Sequence, residues 1–340
     1  MRWRGIVRHS NGGRGEGYSM LGPRTAALLA SALMSAAAHA SEFESSDIYP
    51  ADYPTVTAVA YMGKLIEEQT AGRHRIKPLG NDDLDSEGYT IAEVRMGKLA
   101  MARVDLRMLN DLVPSTVALS LPYLFESTEH LRRVLDGPIG DEILASMESM
   151  GLVGLCFYDM GARSLAFGKP VRHVRDVKGL KIRVLRSGSG GRFVEATGAV
   201  PVALTHDRIS AALQARIIDG MEVTLPSFTA ARHHLLTKFY SLTEHSMTPA
   251  VVIFSKKIWD ELSRSDQTII RNAAKASVPI MREQWAKHEA AARRVAEAAG
   301  VKIIDDVDKQ SFADLLRPLN SRLVPDPALQ AVLKRIQAER

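Results

Sequence analysis

The chain has 340 residues, 46% hydrophobic and 24% charged, with a formal net charge of +5 at pH 7. These proportions suit a folded soluble protein of about two domains and exclude a disordered or collagen-like chain. The positive excess is local: residues 1–40 hold five Arg against one Glu, and taking these from 44 basic and 39 acidic residues leaves 39 against 38, so the body has no electrostatic reason to take nucleic acid or an anionic membrane as partner.

Residues 1–40 read as a secretory signal. Arg24 is the positive flank, Thr25 to Ala37 an apolar Ala-rich core, and Ala38-His39-Ala40 an A-x-A cleavage site. The apolar stretch is shorter than the ~20 residues a spanning helix needs. Residues 1–19 are Gly- and Arg-rich, and Met20 is an alternative start. The mature chain is expected to begin at Ser41 in the periplasm. Cys156 is the only cysteine, so no intramolecular disulfide forms. Its apolar neighbours, Leu152 to Phe157, predict a buried, inert thiol.

Thr55 to Gln69 carries apolar residues at helical spacing, with Gly72 as its stop. His74 to Leu79 reads as a strand and Ser86 to Gly97 as a helix with Ile91, Val94 and Met96 inward. Leu99 to Leu106 returns as a strand, and this βαβ rhythm implies a parallel sheet flanked by helices. Ser127 to Leu135 and Gly140 to Met150 read as helices, and Leu152 to Tyr158 as a strand. After Gly161 a second unit begins. Strands are expected at Lys181 to Leu185, Ala199 to Leu204 and Gly220 to Val223, with helices at Gly191 to Thr197 and Asp207 to Ala215. Val251 to Phe254 is a further strand. Ser265 to Ala299 is the longest helix, with Ser265 as N-cap and Gly300 beyond its end. Its inward stripe is read as Ile269, Ala273, Ile280, Gln284, His288, Ala292, Val295 and Ala299.

Two arginines stand out. Arg163 follows an apolar run and a turn-like Asp159-Met160-Gly161. Arg183 interrupts the alternating strand Leu180 to Val184. An arginine in a half-buried strand is costly unless an anion meets it, and its planar fork matches a carboxylate. Arg183 either points to solvent, pairs with a structural acid of the chain, or meets a ligand carboxylate.

The run Asp176-Val177-Lys178-Gly179-Leu180-Lys181-Ile182-Arg183-Val184 resembles the signature of the solute-binding proteins of TRAP transporters, the DctP family. Tyr49 to Val56, Ser120 to Phe125, Val134 to Gly140, Ile218-Asp219-Gly220-Met221-Glu222 and Ser255 to Trp259 are similar to family segments in the same order. The resemblance covers roughly Ser41 to Val307. It implies an α/β, two-domain periplasmic binding protein fold with an interdomain ligand cleft and a long helix across both domains. The implied domains are 41–160 with 249–288, and 161–248 with 289–340.

It also implies a non-enzymatic protein that closes around a small organic acid and delivers it to TRAP membrane permease subunits, as a monomer without cofactors. Presentation of the ligand to a membrane histidine kinase is the alternative. By resemblance Arg183 is the carboxylate anchor, Arg163 a supporting basic contact, and Asp105 an acceptor for ligand hydroxyls. Glu87 matches a position near the ligand, and also suits a helix N-terminus on charge grounds alone. Tyr49, Asp52 and Tyr53 either line a sugar-like ligand or form a Pro-rich turn. The family flavour of Tyr49–Val56 and Ser241–Ser246 points to sugar acids such as uronates.

The sequence departs from the family pattern after Glu222. Val223 stands where an amide side chain is usual, and His206 where other pocket-lining residues are common. The loop Ser187 to Gly191 is glycine-rich but has neither a Walker A nor a G-x-G-x-x-G spacing. The histidines make no metal motif, and there is no G-x-S-x-G elbow.

Overall fold

The structure, a computed structural model, describes residues 41–80, 87–184 and 188–339. The export signal, the alternative start, Ser86, Leu185 and Ser187 lie outside them.

Two sheets carry the fold. The first contains Ser41–Ser46 (β1), His74–Leu79 (β2), Met101–Asp105 (β3) and Leu152–Tyr158 (β4). The second contains Arg163–Phe167 (β5), Lys181–Val184 (β6), Val200–Ala203 (β7), Gly220–Thr224 (β8) and Phe239–Ser246 (β9). Ala250–Ser255 (β10) returns to the first sheet and Lys302–Ile304 (β11) to the second. Strand orders are β2-β1-β3-β10-β4 and β11-β9-β5-β8-β6-β7. Both sheets are mixed, which corrects the expected all-parallel sheet: β10 runs antiparallel between β3 and β4, and β5 antiparallel between β9 and β8.

Alternation explains why each sheet is covered twice. Val251 and Ile253 of β10 enter one core with Val104, while Val252 and Phe254 enter another with Met101. In the second sheet Ile182 and Val184 face one core, and Met221 and Val223 the other. Arg183 pairs in register with Met221 and Val202, and paired residues share a face. It therefore sits on the Met221 side, at the carboxyl end of its strand.

The chain passes between the sheets at residues 159–162 and 247–249, and a third connection is the 35-residue helix Arg264–Ala298. That helix buries Ala273, Ala274, Met281 and Trp285 in a first-sheet core, and Ala292 and Ala296 in a second-sheet core. Its N-cap is Ser263, which accepts from Asp266 N, rather than Ser265. Its buried face also differs in phase from the expected stripe, since Val295 is exposed while Ser277 and Val278 are buried. The helix packs on the helix Pro54–Gln69, where Thr57 Oγ1 donates to Gln284 Oε1, and on β4, where Ser277 Oγ lies 2.7 Å from Tyr158 Oη.

Most expected elements are present near their expected bounds, but the strands β1, β5, β9 and β11 were not anticipated, the helix expected from Gly191 begins at Gly188, and the helix expected to run to Met150 ends at Ser146 in a 3-10 turn; three further differences follow. Met96 is exposed, not inward. The segment expected as one helix from Asp207 is a 3-10 turn, His206–Arg208, followed by the helix Ile209–Gln214. The final helix, Pro327–Ala338, packs on the first lobe: Leu333 and Ile336 join its core, and the Ile336 carbonyl lies 2.8 Å from His130 Nε2. The tail expected with the second domain thus folds back onto the first, because its apolar stripe has an open core face there.

Candidate functional site

A cavity of about 680 Å³ opens between the lobes, where the carboxyl ends of strands from both sheets converge. Ligands collect at such ends in open α/β sheets. Eight residues singled out from the sequence line it: Tyr49, Glu87, Asp105, Arg163, Arg183 and His206, with Glu222 and Val223. Tyr53 does not. It is buried behind Tyr49, ring centroids 3.9 Å apart in a stack. Asp52 is exposed and also off the lining.

The local fold explains these positions. Asp105 ends β3 and caps the following turn by accepting from Arg107 N. Glu87 opens the helix Glu87–Met96. Gly220 starts β8, where an added Cβ would meet the Ala166 carbonyl at 2.4 Å. Only glycine lets β8 lie close enough to β5 to present Glu222.

Three arginines of the lining are already neutralised. Arg103 donates to both oxygens of Asp47 and, at 3.1 Å, to Glu87 Oε1. Arg107 grips Asp105 at 3.0 and 2.8 Å and reaches Glu222 Oε1 at 3.0 Å. Arg163 pairs with Glu222 Oε2 and donates to the Glu222 carbonyl at 2.9 Å. Arg163 is thus oriented by an acid of the chain while still lining the cavity. Arg103 and Arg107 escaped the sequence reading because their partners, apart from Asp105, lie 16 to 115 residues away. Their signal was a basic residue alternating with apolar ones along and beyond β3.

Arg183 differs. It is 3% exposed, its Nε donates to the Leu204 carbonyl at 3.0 Å, and its Nη2 has no partner among the described residues. Burial lowers its pKa, Glu222 partly restores it, and Arg163 and Arg107 lower it again, to about 10. A buried guanidinium without a carboxylate is an anion site.

The other titratable groups are tuned around it. Burial would raise the Glu222 carboxyl, but Arg163 and Arg107 hold it well below the ordinary range. Asp105 is likewise lowered, the effect of burial being outweighed by Arg107 and Arg163. Glu87 goes the other way: burial outweighs Arg103, and with Asp105 nearby its pKa rises to about 7. His206 and His233 both line the cavity, and burial followed by the Arg183 charge pushes them down to about 3 and about 4. They are neutral rings beside Arg183, the one lining arginine without a carboxylate partner among the described residues. Sequence reasoning missed His233, since its place depends on Arg232 adopting a left-handed φ of 58°.

The lobes also touch beside the cavity. Tyr49 Oη and Ser227 Oγ lie 2.7 Å apart, and Thr224 Oγ1 donates to the same Ser227 oxygen at 2.9 Å. Cys156 is buried far from the lining, and burial pushes its thiol up to about 12. The site therefore offers one fixed cation, several acceptors for hydroxyls and an aromatic wall at Tyr49. That suits a polyhydroxylated acid.

Comparison with known proteins agrees. The family described as bacterial extracellular solute-binding protein, family 7 (DctP), matches residues 45–324. A TRAP periplasmic solute binding protein from a Bradyrhizobium species, solved with α/β-D-galacturonate, is similar at TM-score 0.86 and 45% identity, covering 88% of this chain and 100% of that one. One from Xanthobacter autotrophicus, with β-D-galacturonate, gives 0.85 and 41%, covering 88% and 100%. The 2,3-diketo-L-gulonate-binding periplasmic protein of Escherichia coli is 30% identical over 74% of this chain and 77% of its own length.

Proposed function

The chain belongs to the bacterial extracellular solute-binding protein family 7, and we propose that it captures a sugar acid of the hexuronate kind outside the cytoplasm and delivers it to a TRAP-type membrane permease. The observation that carries this is Arg183, a buried guanidinium open on one side, facing a cavity rimmed by hydroxyl acceptors. The ligand carboxylate docks on Arg183, and the sugar hydroxyls reach Glu87 and Asp105 on the opposite lobe. Bridging both lobes, the ligand favours the closed state. The protein binds and releases without chemistry.

In this reading the first domain comprises residues 41–160 and 249–288 with the tail 324–338, and the second comprises 161–248 and 289–323. Export to the periplasm belongs to this reading, supported by the signal-like run from Arg24 to Ala40. Among the described residues no helix is long and apolar enough to cross a membrane.

A thermal-shift panel of D-galacturonate, D-glucuronate and 2,3-diketo-L-gulonate tests the proposal. A ligand at 100 times its Kd adds ~2.7 kcal/mol of stability, so a clear rise in Tm is expected with at least one of them. A folded protein stabilised by none of the three overturns it.

A further inference from the structure

We propose that the cleft selects a single negative charge: it takes a sugar monoacid and rejects the matching diacid, because Glu222 acts as an internal counter-anion that occupies two of the lining arginines. The inference rests on the sugar-acid reading above and adds a residue that sets the charge class.

The charges facing the cavity carry the argument. Its lining holds four guanidiniums, Arg103, Arg107, Arg163 and Arg183, and no lysine. Three of the four end on carboxylates of the chain: Arg103 on Asp47 and Glu87, Arg107 on Asp105 and Glu222, Arg163 on Glu222. Glu222 uses both carboxylate oxygens, Oε1 for Arg107 and Oε2 for Arg163. It is 4% exposed, so neither pairing is weakened by solvent as a surface pair would be. Of these four, only Arg183 ends on no carboxylate among the described residues, and at 3% exposed it is as buried as Glu222.

A ligand carrying one carboxylate satisfies that single vacancy. A second carboxylate on the far carbon of the same skeleton has no unpaired cation of the lining left to meet among the described residues. It faces the opposite lobe, where Asp105, held ionised by Arg107 and Arg163, lines the wall beside Glu87, and Asp207 adds an exposed acid on the Arg183 side. Hydroxyl groups are welcome at such acceptors, whereas a like charge brought against them in a partly buried site costs several kcal/mol.

The test is a charge ladder on one carbon skeleton, followed by calorimetric titration: methyl D-galacturonate (neutral), D-galacturonate (one charge) and galactarate (two charges). The wild type is expected to bind galacturonate at least ~100-fold more tightly than galactarate, from the like-charge cost, and also more tightly than the neutral ester. Galactarate within about threefold of galacturonate overturns the inference while leaving the sugar-acid reading intact. Binding of no sugar acid at all sinks both. Glu222→Gln frees one positive charge between Arg107 and Arg163. It is expected to narrow the galacturonate-to-galactarate ratio by on the order of tenfold or more, about one released charge-assisted contact. A folded Glu222→Gln protein with an unchanged ratio removes Glu222 from the role. Should that variant not fold, Asp105→Asn, which removes an acid from the opposite wall, is expected to move the ratio the same way, and an unchanged ratio there counts against the inference equally.

Discussion

Tyr49 and Ser227 meet across the cleft, with Oη and Oγ 2.7 Å apart. Tyr49 comes from the loop after β1, and Ser227 from the short helix Leu225–Ala230 after β8. The contact exists only when the lobes are together, so it stabilises the closed form without touching the carboxylate. Tyr49→Phe should raise the ligand off-rate by roughly 2- to 10-fold, as expected for one neutral hydrogen bond of about 0.5–1.5 kcal/mol, and leave the on-rate nearly unchanged. Stopped-flow kinetics separates the two rates. A slower on-rate with the off-rate intact would mean that the pair shapes the open protein instead.

Arg183 should dominate affinity. Truncation to Ala strands the ligand carboxylate in the cleft, at a cost on the order of 2–5 kcal/mol, or roughly 30- to several-thousand-fold in Kd. Arg183→Lys should recover part of this, because one ammonium does not reproduce the fork. Arg163→Ala should cost less, since Arg163 is spent on Glu222. Ligand-free Arg183→Ala should be no less stable than wild type, because it removes a buried cation that burial already disfavours. Calorimetric titration and thermal melts of the same proteins check both halves. Full binding by Arg183→Ala sinks the anchor role.

What was legible in the sequence and what was not divides along physical lines. Arg183 was legible because a charge inside an alternating apolar strand violates local consistency, and such violations tend to mark functional sites. The long helix was legible from its length and caps. Its phase was not, because the face is set by the tertiary partners the helix meets, which bury Ala273, Ala274 and Ser277 and leave the more hydrophobic Val295 exposed. The place of β10 was hidden for another reason: strand periodicity names a face, not a neighbour, and its partners β3 and β4 lie some hundred residues or more upstream. The pairing of Arg107 with Glu222 belongs to the same class, spanning 115 residues.

Val223 is 5% exposed and lines the cavity beside Glu222, while its carbonyl accepts from Tyr240 Oη at 2.8 Å. An amide here gains a partner only where the ligand supplies one, and otherwise costs about 1–3 kcal/mol as a buried unsatisfied group. Val223→Asn should therefore reorder the affinities of a panel of sugar acids more than it changes the melting temperature of the free protein. Equal loss across every acid, or no change, would place the Val223 side chain outside ligand contact.

Glu87 should give the free protein a measurable pH signature. Its carboxyl is raised to about 7, chiefly by burial, from an ordinary value of ~4.3. Between those values the folded state holds a proton that the unfolded state has released, so stability falls as pH rises through the window. The contribution is complete below the ordinary value and lost above about 7. The buried histidines act oppositely: His206, His233 and His245 are lowered, so they cost stability as pH falls below ~6.5. Because these remain in a Glu87→Gln variant, they cancel in the comparison. The amide oxygen of that variant would still accept from Arg103 and from the Asp105 N–H, the two bonds that Glu87 Oε1 makes, but an amide does not titrate. Urea unfolding at pH 5, 6, 7 and 8 should show the stability of wild type relative to Glu87→Gln declining steadily with pH. A difference that is flat, or that grows with pH, would mean Glu87 is ionised throughout and meets the ligand as a plain carboxylate.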